Sequence, residues 1–252
     1  MGAGGSVGGE IVAMSSFAYE EDFRSLERWI LRPSGHAHWQ VEPGGGAFRG
    51  FWQARFNSLV FHRPLIGDAA LELEFRIFPM VWERALGIRN LPEAERAQAI
   101  ERRRVLDPTG QRNLNILWKM AGPQGEDFYE AFDEWFGKGK MGLEFFRGYF
   151  FTFTYLWARL RRCPGYQLVS DRPDVRVEIG RHYHLRIVQE GGRLRYWLNG
   201  DLVHDWSDAE PYTRGYVGFV LSTSQVLVTR IHLEAEEAGE ACRMADAQAG
   251  RT

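Results

Sequence analysis

Cysteine is nearly absent from the 252-residue chain: Cys163 and Cys242 are the only two. That is too few ligands for a cysteine-based zinc site and too few bridges for a disulfide framework. An excess of charge of one sign is lacking as well. Lysine plus arginine number 31 against 33 aspartates and glutamates, a formal net charge of −2, so no nucleic-acid partner is expected, nor an acidic disordered chain. No apolar stretch approaches the ~18 residues of a membrane span. The densest one, Tyr149 to Trp157, holds two threonines and runs into Arg159, Arg161 and Arg162. The Gly-rich segment Met1 to Ser16 has no Lys or Arg, and its apolar run Ile11 to Met14 is too short for a secretory leader. With so little cysteine, these features lead us to expect a cytoplasmic protein.

Further absences narrow the chemistry. No Gly-x-Ser-x-Gly occurs, which removes the nucleophile elbow. Gly44-Gly45-Gly46 precedes a strand pattern with no helix following, a poor match to a phosphate-cradling loop. His36 and His38 alternate, as do His182 and His184, but neither pair has a third ligand at suitable spacing. No cofactor is expected; a structural calcium held by Asp and backbone carbonyls is compatible with the composition.

Aromatic residues, by contrast, are plentiful: 17 Phe, 9 Tyr and 9 Trp, within a hydrophobic content of 44% that is ample for a sizeable core. Most of the chain alternates with period two. Leu71 to Phe78 puts Leu71, Leu73, Phe75 and Ile77 on one face and Glu72, Glu74 and Arg76 on the other, the pattern of a half-buried antiparallel strand. Arg112 to Met120, His184 to Val188, Arg193 to Leu198, Tyr216 to Leu221 and Val226 to Leu233 read alike. Glu190-Gly191-Gly192 and Asn199-Gly200-Asp201 supply tight turns that make a meander. Asn90 to Arg104 is helical, with Pro92 near its start, acids early and arginines late. Gly122 to Gly142 is an irregular connection rich in acids and aromatics, unusual for a mere linker. The expectation is an all-β chain: a flexible segment over 1–16, one antiparallel β-sandwich over 17–233 with one inserted surface helix at about 91–105 and an acidic aromatic loop at about 122–142, and a disordered tail over 234–252.

The order of motifs adds a resemblance. Tyr19-Glu20-Glu21-Asp22-Phe23, Trp29, the strand Leu71 to Phe78, Tyr183 to Val188, Tyr196 to Gly200 and Gly215 to Phe219 resemble the concanavalin A-like lectin/glucanase superfamily. Asn113-Leu114-Asn115, Tyr149 to Thr154, and Arg159 to Tyr166 with its Cys163-Pro164-Gly165 look like the YesU-like branch of bacterial jelly-roll proteins associated with polysaccharide breakdown. Cys163 departs from the polar residue expected before that Pro-Gly. The resemblance spans roughly residues 19 to 233. It implies a carbohydrate-active protein and assigns no catalytic residues.

Arg147 to Arg162, read as one strand, has Gly148, Phe150, Thr152, Thr154, Leu156, Ala158 and Leu160 on a face suited to the sandwich interior. The other face carries Tyr149, Phe151, Phe153, Tyr155, Trp157, Arg159 and Arg161, which suits a concave sugar-binding sheet: rings stack on pyranoses while guanidiniums meet hydroxyls or carboxylates. Four arginines and no acid between Arg147 and Ser170 point to an anionic sugar such as a uronate. The competing reading buries both faces, the second under the acidic loop. Asn113, Asn115 and Lys119 share a face of the preceding strand and offer further polar contacts. For catalysis, a hydrolase needs two carboxylates at defined separation, for which Glu144, Asp127 and the pair Glu72 and Glu74 are candidates. A lyase needs a cation or amide with a base and an acid, which Arg159 or Arg161, Asn115, Tyr155 and His184 could supply. The sequence therefore leads us to expect catalytic roles for Arg159, Tyr155, Asn115, His184 and Glu144. Substrate contacts are expected from Trp157, Arg161, Tyr149, Asn113, Lys119 and Asp127. The partner expected is an oligosaccharide or polysaccharide fragment, cleaved by a glycoside hydrolase or polysaccharide lyase. The alternative is a non-catalytic, lectin-like binding module, and a third reading uses the aromatic face to form a homodimer.

Overall fold

The alternation over Leu71 to Phe78 lies in the longest strand, which occupies a central position. A computed structural model describes residues 16–32, 38–51, 57–79, 88, 90–106, 113–126, 128–131, 145–154, 156–222 and 224–236. Those residues form two antiparallel sheets. Sheet A contains β1 (Ser16–Glu20), β3 (His38–Val41), β4 (Phe48–Phe51), β6 (Leu65–Pro79), β11 (His182–Glu190), β12 (Arg193–Leu198), β13 (Asp201–Ser207) and β15 (Ser224–Glu236). Sheet B runs in the order β2 (Trp29–Arg32), β5 (Asn57–Phe61), β14 (Arg214–Ser222), β7 (Asn113–Ala121), β8 (Arg147–Thr154), β9 (Ala158–Cys163) and β10 (Gln167–Arg172). Strand β14 joins the two, because Arg214 and Gly215 pair with Ile66 and Leu65 of β6 before the strand continues into sheet B.

The period-two pattern explains the core. Leu71, Leu73, Phe75 and Ile77 of β6 are buried while Glu72, Glu74 and Arg76 point away, and the flanking strands match them residue for residue: Leu185 and Ile231 lie beside Leu73, Ile187 and Leu233 beside Leu71. The meander β11–β12–β13 turns at Gly191 and at Asn199-Gly200, all at positive φ as tight hairpins require. From sheet B, Leu114, Ile116, Trp118, Tyr149, Phe151, Phe153, Leu160 and Phe219 face this layer. Trp118 Nε1 donates to Gln189 Oε1 across the gap at 2.8 Å, and Phe75 meets Phe153 at 5.2 Å between ring centroids. At one edge, Arg172 Nη1 donates to the Val203 carbonyl at 2.8 Å, and Ser170 Oγ lies 2.7 Å from His204 Nδ1. This edge is thereby drawn closed between β10 and β13.

Helix α1 (Glu93–Leu106) falls where the sequence places it, with Glu93 and Glu95 in its first turn. Within the acidic aromatic connection, the short helix α2 (Phe128–Ala131) sets Phe128 and Ala131 against Leu117, Met120, Phe146, Phe150 and Tyr216 on the outer face of sheet B. That covered patch is a second, smaller core. Two boundaries differ from expectation: Ser16 already belongs to β1, and β15 runs on to Glu236, where Ser16 pairs with it. The flexible ends expected beyond these strands lie outside the described residues.

The largest correction concerns the segment Arg147 to Arg162. It is two strands, because the chain reverses between Thr154 and Trp157: the Thr154 N–H donates to the Trp157 carbonyl at 2.8 Å, while Thr154 Oγ1 accepts from Leu156 N at 3.0 Å and Trp157 N at 3.1 Å. Across the hairpin Thr152 faces Arg159 and Phe150 faces Arg161. Parity therefore changes at the turn. Tyr149, Phe151 and Phe153 are the interior residues of β8, and Arg159 and Arg161 share the outer face with Thr152 and Phe150 instead of with those rings.

A bulge in β7 further reorganises that strand. Lys119 has φ +50°, and pairing to both β8 and β14 slips around it. The bulged backbone sits so close to Gly148 and Gly215, at φ +135° and +156°, that a side chain at either position would strike the Lys119 carbonyl. Gly215→Ala is accordingly expected to destabilise the fold by about 1–3 kcal/mol, read as a lower urea midpoint at unchanged m-value; an unaltered midpoint would contradict this close approach.

Candidate functional site

The β8–β9 hairpin and the β9–β10 connection bring the unusual side chains of the outer face of sheet B to one edge. Trp157 follows the turn, and the Arg159 guanidinium carbon lies 4.1 Å from its ring centroid. Arg159 is also held by Asp171 on β10, with Nε and Nη2 donating to the two carboxylate oxygens at 3.0 and 3.3 Å. One strand position along, Arg161 lies 5.9 Å from the Trp157 centroid and 4.6 Å from that of Tyr166, which in turn packs against Phe150 at 5.5 Å. Leu156, Tyr166 and Leu168 are exposed here. The result is an open strip in which rings and guanidiniums alternate.

Inward from the strip, the same face turns polar and buried. Val220, Asn115, Thr152 and Arg159 stand in one cross-strand row. Asn115 Nδ2 donates to the Val220 carbonyl at 3.0 Å. Thr152 is 4% exposed and its hydroxyl oxygen has no hydrogen-bond partner among the described residues, an uncommon state for a buried polar atom. Charge is divided unevenly between the sheets. The strands of sheet B contain one acidic residue, Asp171, against eight lysines and arginines, whereas those of sheet A contain nine acids against six.

Of the residues singled out in the sequence, Trp157, Arg159 and Arg161 come together on this edge, and Asn115 lies on the same face but is buried behind it. Asn113 stands opposite Thr154 at the end of β7, and its side chain lies outside what is described. Tyr155, Glu144 and Asp127 also lie outside the described residues. Three expectations are overturned. Tyr149 points into the sandwich, where its hydroxyl donates to Asp208 Oδ2 at 2.8 Å and accepts from Tyr212 N at 3.2 Å, and burial first, then the Asp208 carboxylate, pushes its pKa up. Lys119 is fully buried, because the bulge turns its ammonium toward the Gly67 carbonyl, to which it donates; burial lowers its pKa to about 8 despite the attraction of Asp68 and Glu236.

His184 lies on the outer face of sheet A, on the far side of the sandwich, with Nε2 3.6 Å from Glu72 Oε2. Glu72 and Glu74 belong to that same distant face, engaged by Arg230, by Arg186 at Glu72 and by His182 at Glu74. His232 completes the network between Glu20 and Glu234; its hydrogen bond to Glu234 is the largest influence raising its pKa. Two contributors to the edge, Tyr166 and Asp171, escaped the sequence reading as site residues. Finding them requires the register that sets Leu168 opposite Arg161 and Asp171 opposite Arg159, which no short motif encodes.

Fold and face together define a jelly-roll β-sandwich of the galectin-like, concanavalin-like type. Residues 152–231, which include β9 to β14 and most of β15, match a domain of unknown function, DUF6250. No curated protein matches the chain in sequence. Among solved structures, the chain is similar to a protein of unknown function with a galectin-like fold from Bacillus subtilis, with a TM-score of 0.59 and 12% identity over 90% of this chain and 100% of that one. It is also similar to the carbohydrate-recognition domain of Emp46p in its potassium-bound form (TM-score 0.54, 10% identity, 84% and 90% covered). The carbohydrate-binding module CBM66 from Bacillus subtilis gives a TM-score of 0.51 at 12% identity, with 84% and 96% covered.

Proposed function

We propose that the chain is a carbohydrate-binding protein and that the partly exposed edge of sheet B, at Trp157, Arg159, Arg161 and Tyr166, receives the sugar. The observation that carries this reading is the strip itself. A pyranose presents an apolar C–H face and a rim of hydroxyls, and the half-buried Trp157 ring and exposed Tyr166 ring beside fixed guanidinium donors match both. Arg159, already fixed by Asp171, holds Trp157 in place from one side. Two of the structural neighbours are a carbohydrate-recognition domain and a carbohydrate-binding module, which agrees with this reading. So do the YesU-like motifs, whose Arg159 to Tyr166 stretch forms the strip.

Binding is favoured over bond cleavage by two further observations. Among the described residues, sheet B carries no acid besides Asp171, which Arg159 occupies, so a pair of free carboxylates is missing from its strands. The acid–base set built on His184 does not converge, because that histidine belongs to the opposite sheet.

The test is a glycan array followed by calorimetry on the sugars retained. Trp157→Ala is expected to weaken binding about tenfold or more without shifting the melting midpoint by more than a degree or two. Retention of full affinity by Trp157→Ala would move the site elsewhere, and release of new reducing ends from a bound oligosaccharide would replace binding by cleavage.

A further inference from the structure

Among the described residues of the strip, Arg161 is a cation without an acidic partner. Arg162 gives its Nε to Asp208 at 2.7 Å and its Nη2 to the Glu210 carbonyl at 3.0 Å. Arg159 and Arg172 are paired bidentately with Asp171 and Asp174. Arg161 is different. It contacts the rings of Trp157 and Tyr166 and has no hydrogen bond or ion pair to a described residue. Its register partners are Phe150 on one side and Leu168 on the other, neither of which offers an acceptor side chain. The rings restrain the guanidinium while leaving its N–H donors unfilled. A planar, weakly hydrated cation held in this way loses little freedom when it meets a carboxylate or sulfate, and its fork geometry suits both.

The surroundings reinforce this. Arg159 and Arg161 stand together on the outer face of this edge and Asp171 is the one acid of the strands of sheet B, so the strip carries a local excess of positive charge although the chain as a whole is near neutrality. Neutral pyranoses need the rings and donors of the strip but would leave this cation unanswered. We infer that Arg161 is an anion-recognition residue and that the ligand of this edge is an acidic sugar, carrying a carboxylate or a sulfate beside the ring stacked on Trp157. The inference rests on the carbohydrate-binding reading and adds the ligand's charge and the residue that selects it.

The experiment measures affinities at low salt for matched pairs: oligogalacturonate and its methyl ester, oligoalginate and its carboxyl-reduced form, and a sulfated galactan oligosaccharide and its desulfated form. The wild-type chain is expected to bind the acidic member of at least one pair about tenfold more tightly, with the advantage shrinking as salt is raised. The pair that responds tells carboxylate from sulfate. Arg161→Gln is expected to weaken the acidic sugar far more than its neutral partner, bringing the two to within about twofold of each other, with the melting midpoint in place. Arg161→Lys should restore only part of the preference. Equal affinities within every pair, with binding still lost in Trp157→Ala, would overturn the inference and leave the carbohydrate reading standing. Equal weakening of both members by Arg161→Gln would also overturn it. A wild-type chain that retained no sugar of the panel would remove both.

Discussion

Phe151→Ala is expected to cost about 3–5 kcal/mol, lowering the melting midpoint by roughly 6 to 20 °C for a domain of this size. The residue is fully enclosed: Ile116 and Leu160 flank it in sheet B, and its ring stacks on Tyr196 of sheet A at 5.8 Å between centroids. Removing the ring leaves a cavity between two sheets whose strands are fixed by backbone hydrogen bonds on both sides, so collapse is limited. The informative comparison is with Tyr166→Ala on the outer strip, where the ring is exposed and the change should stay within about 0.5 kcal/mol. Chemical denaturation of both variants reads the two values directly. Similar effects at the two positions would mean that the faces of β8 and the adjoining edge are assigned the wrong way round.

That assignment is where sequence reading and structure part. The period-two runs at β6, β11, β12, β14 and β15 are legible because each has one apolar and one polar face, and the Gly-containing turns at Gly191 and Asn199-Gly200 mark the meander. Strand β8 defeats the same logic, since both of its faces are buried, one between the sheets and one partly under α2. Alternation then carries no sign, and a face with more rings reads as a binding surface when it is the core. The reversal after Thr154 is equally hard to see. It is held by Thr154's own hydroxyl and carries no Gly, Asn or Pro between Thr154 and Trp157, so a hairpin reads as one long strand and the parity of everything after it is lost. The error in parity nevertheless left Trp157, Arg159 and Arg161 on a common, accessible edge, because all three lie on the same side of the turn. Lys119 failed as a binding residue for a reason that spacing cannot express: a bulge at positive φ swings it out of alternation. His184 failed because period two specifies which face of its own strand a residue occupies, and not which sheet the strand joins.

Asp208 is expected to be a pH-sensitive support of the fold, and Asp208→Asn should cost about 2–3 kcal/mol at pH 7. The carboxylate, 8% exposed, accepts from Tyr149 at 2.8 Å and from Arg162 at 2.7 Å through Oδ2, and from the Glu210 N–H at 3.0 Å through Oδ1. It ties the interior face of β8 to the segment that leads from β13 toward β14. Burial alone would push its pKa up; the Arg162 guanidinium, the Glu210 N–H and the Tyr149 hydroxyl together outweigh that and hold it below the usual carboxylate value. A folded pKa below the unfolded one means that the stabilisation is complete above the ordinary value of about 4 and disappears as pH falls through the folded value. Protonated aspartic acid and asparagine are close in shape and both neutral, so the two proteins should converge there. Urea denaturation from pH 7 down to pH 2 should therefore show a stability gap that is constant above about pH 5 and closes in acid. The other depressed carboxylates, Asp174 and Asp205, are present in both proteins and cancel in the difference. A gap that persisted undiminished at pH 2 would mean that Asp208 acts through shape and hydrogen bonding alone, and that its charge contributes nothing to holding β8 against the β13–β14 segment.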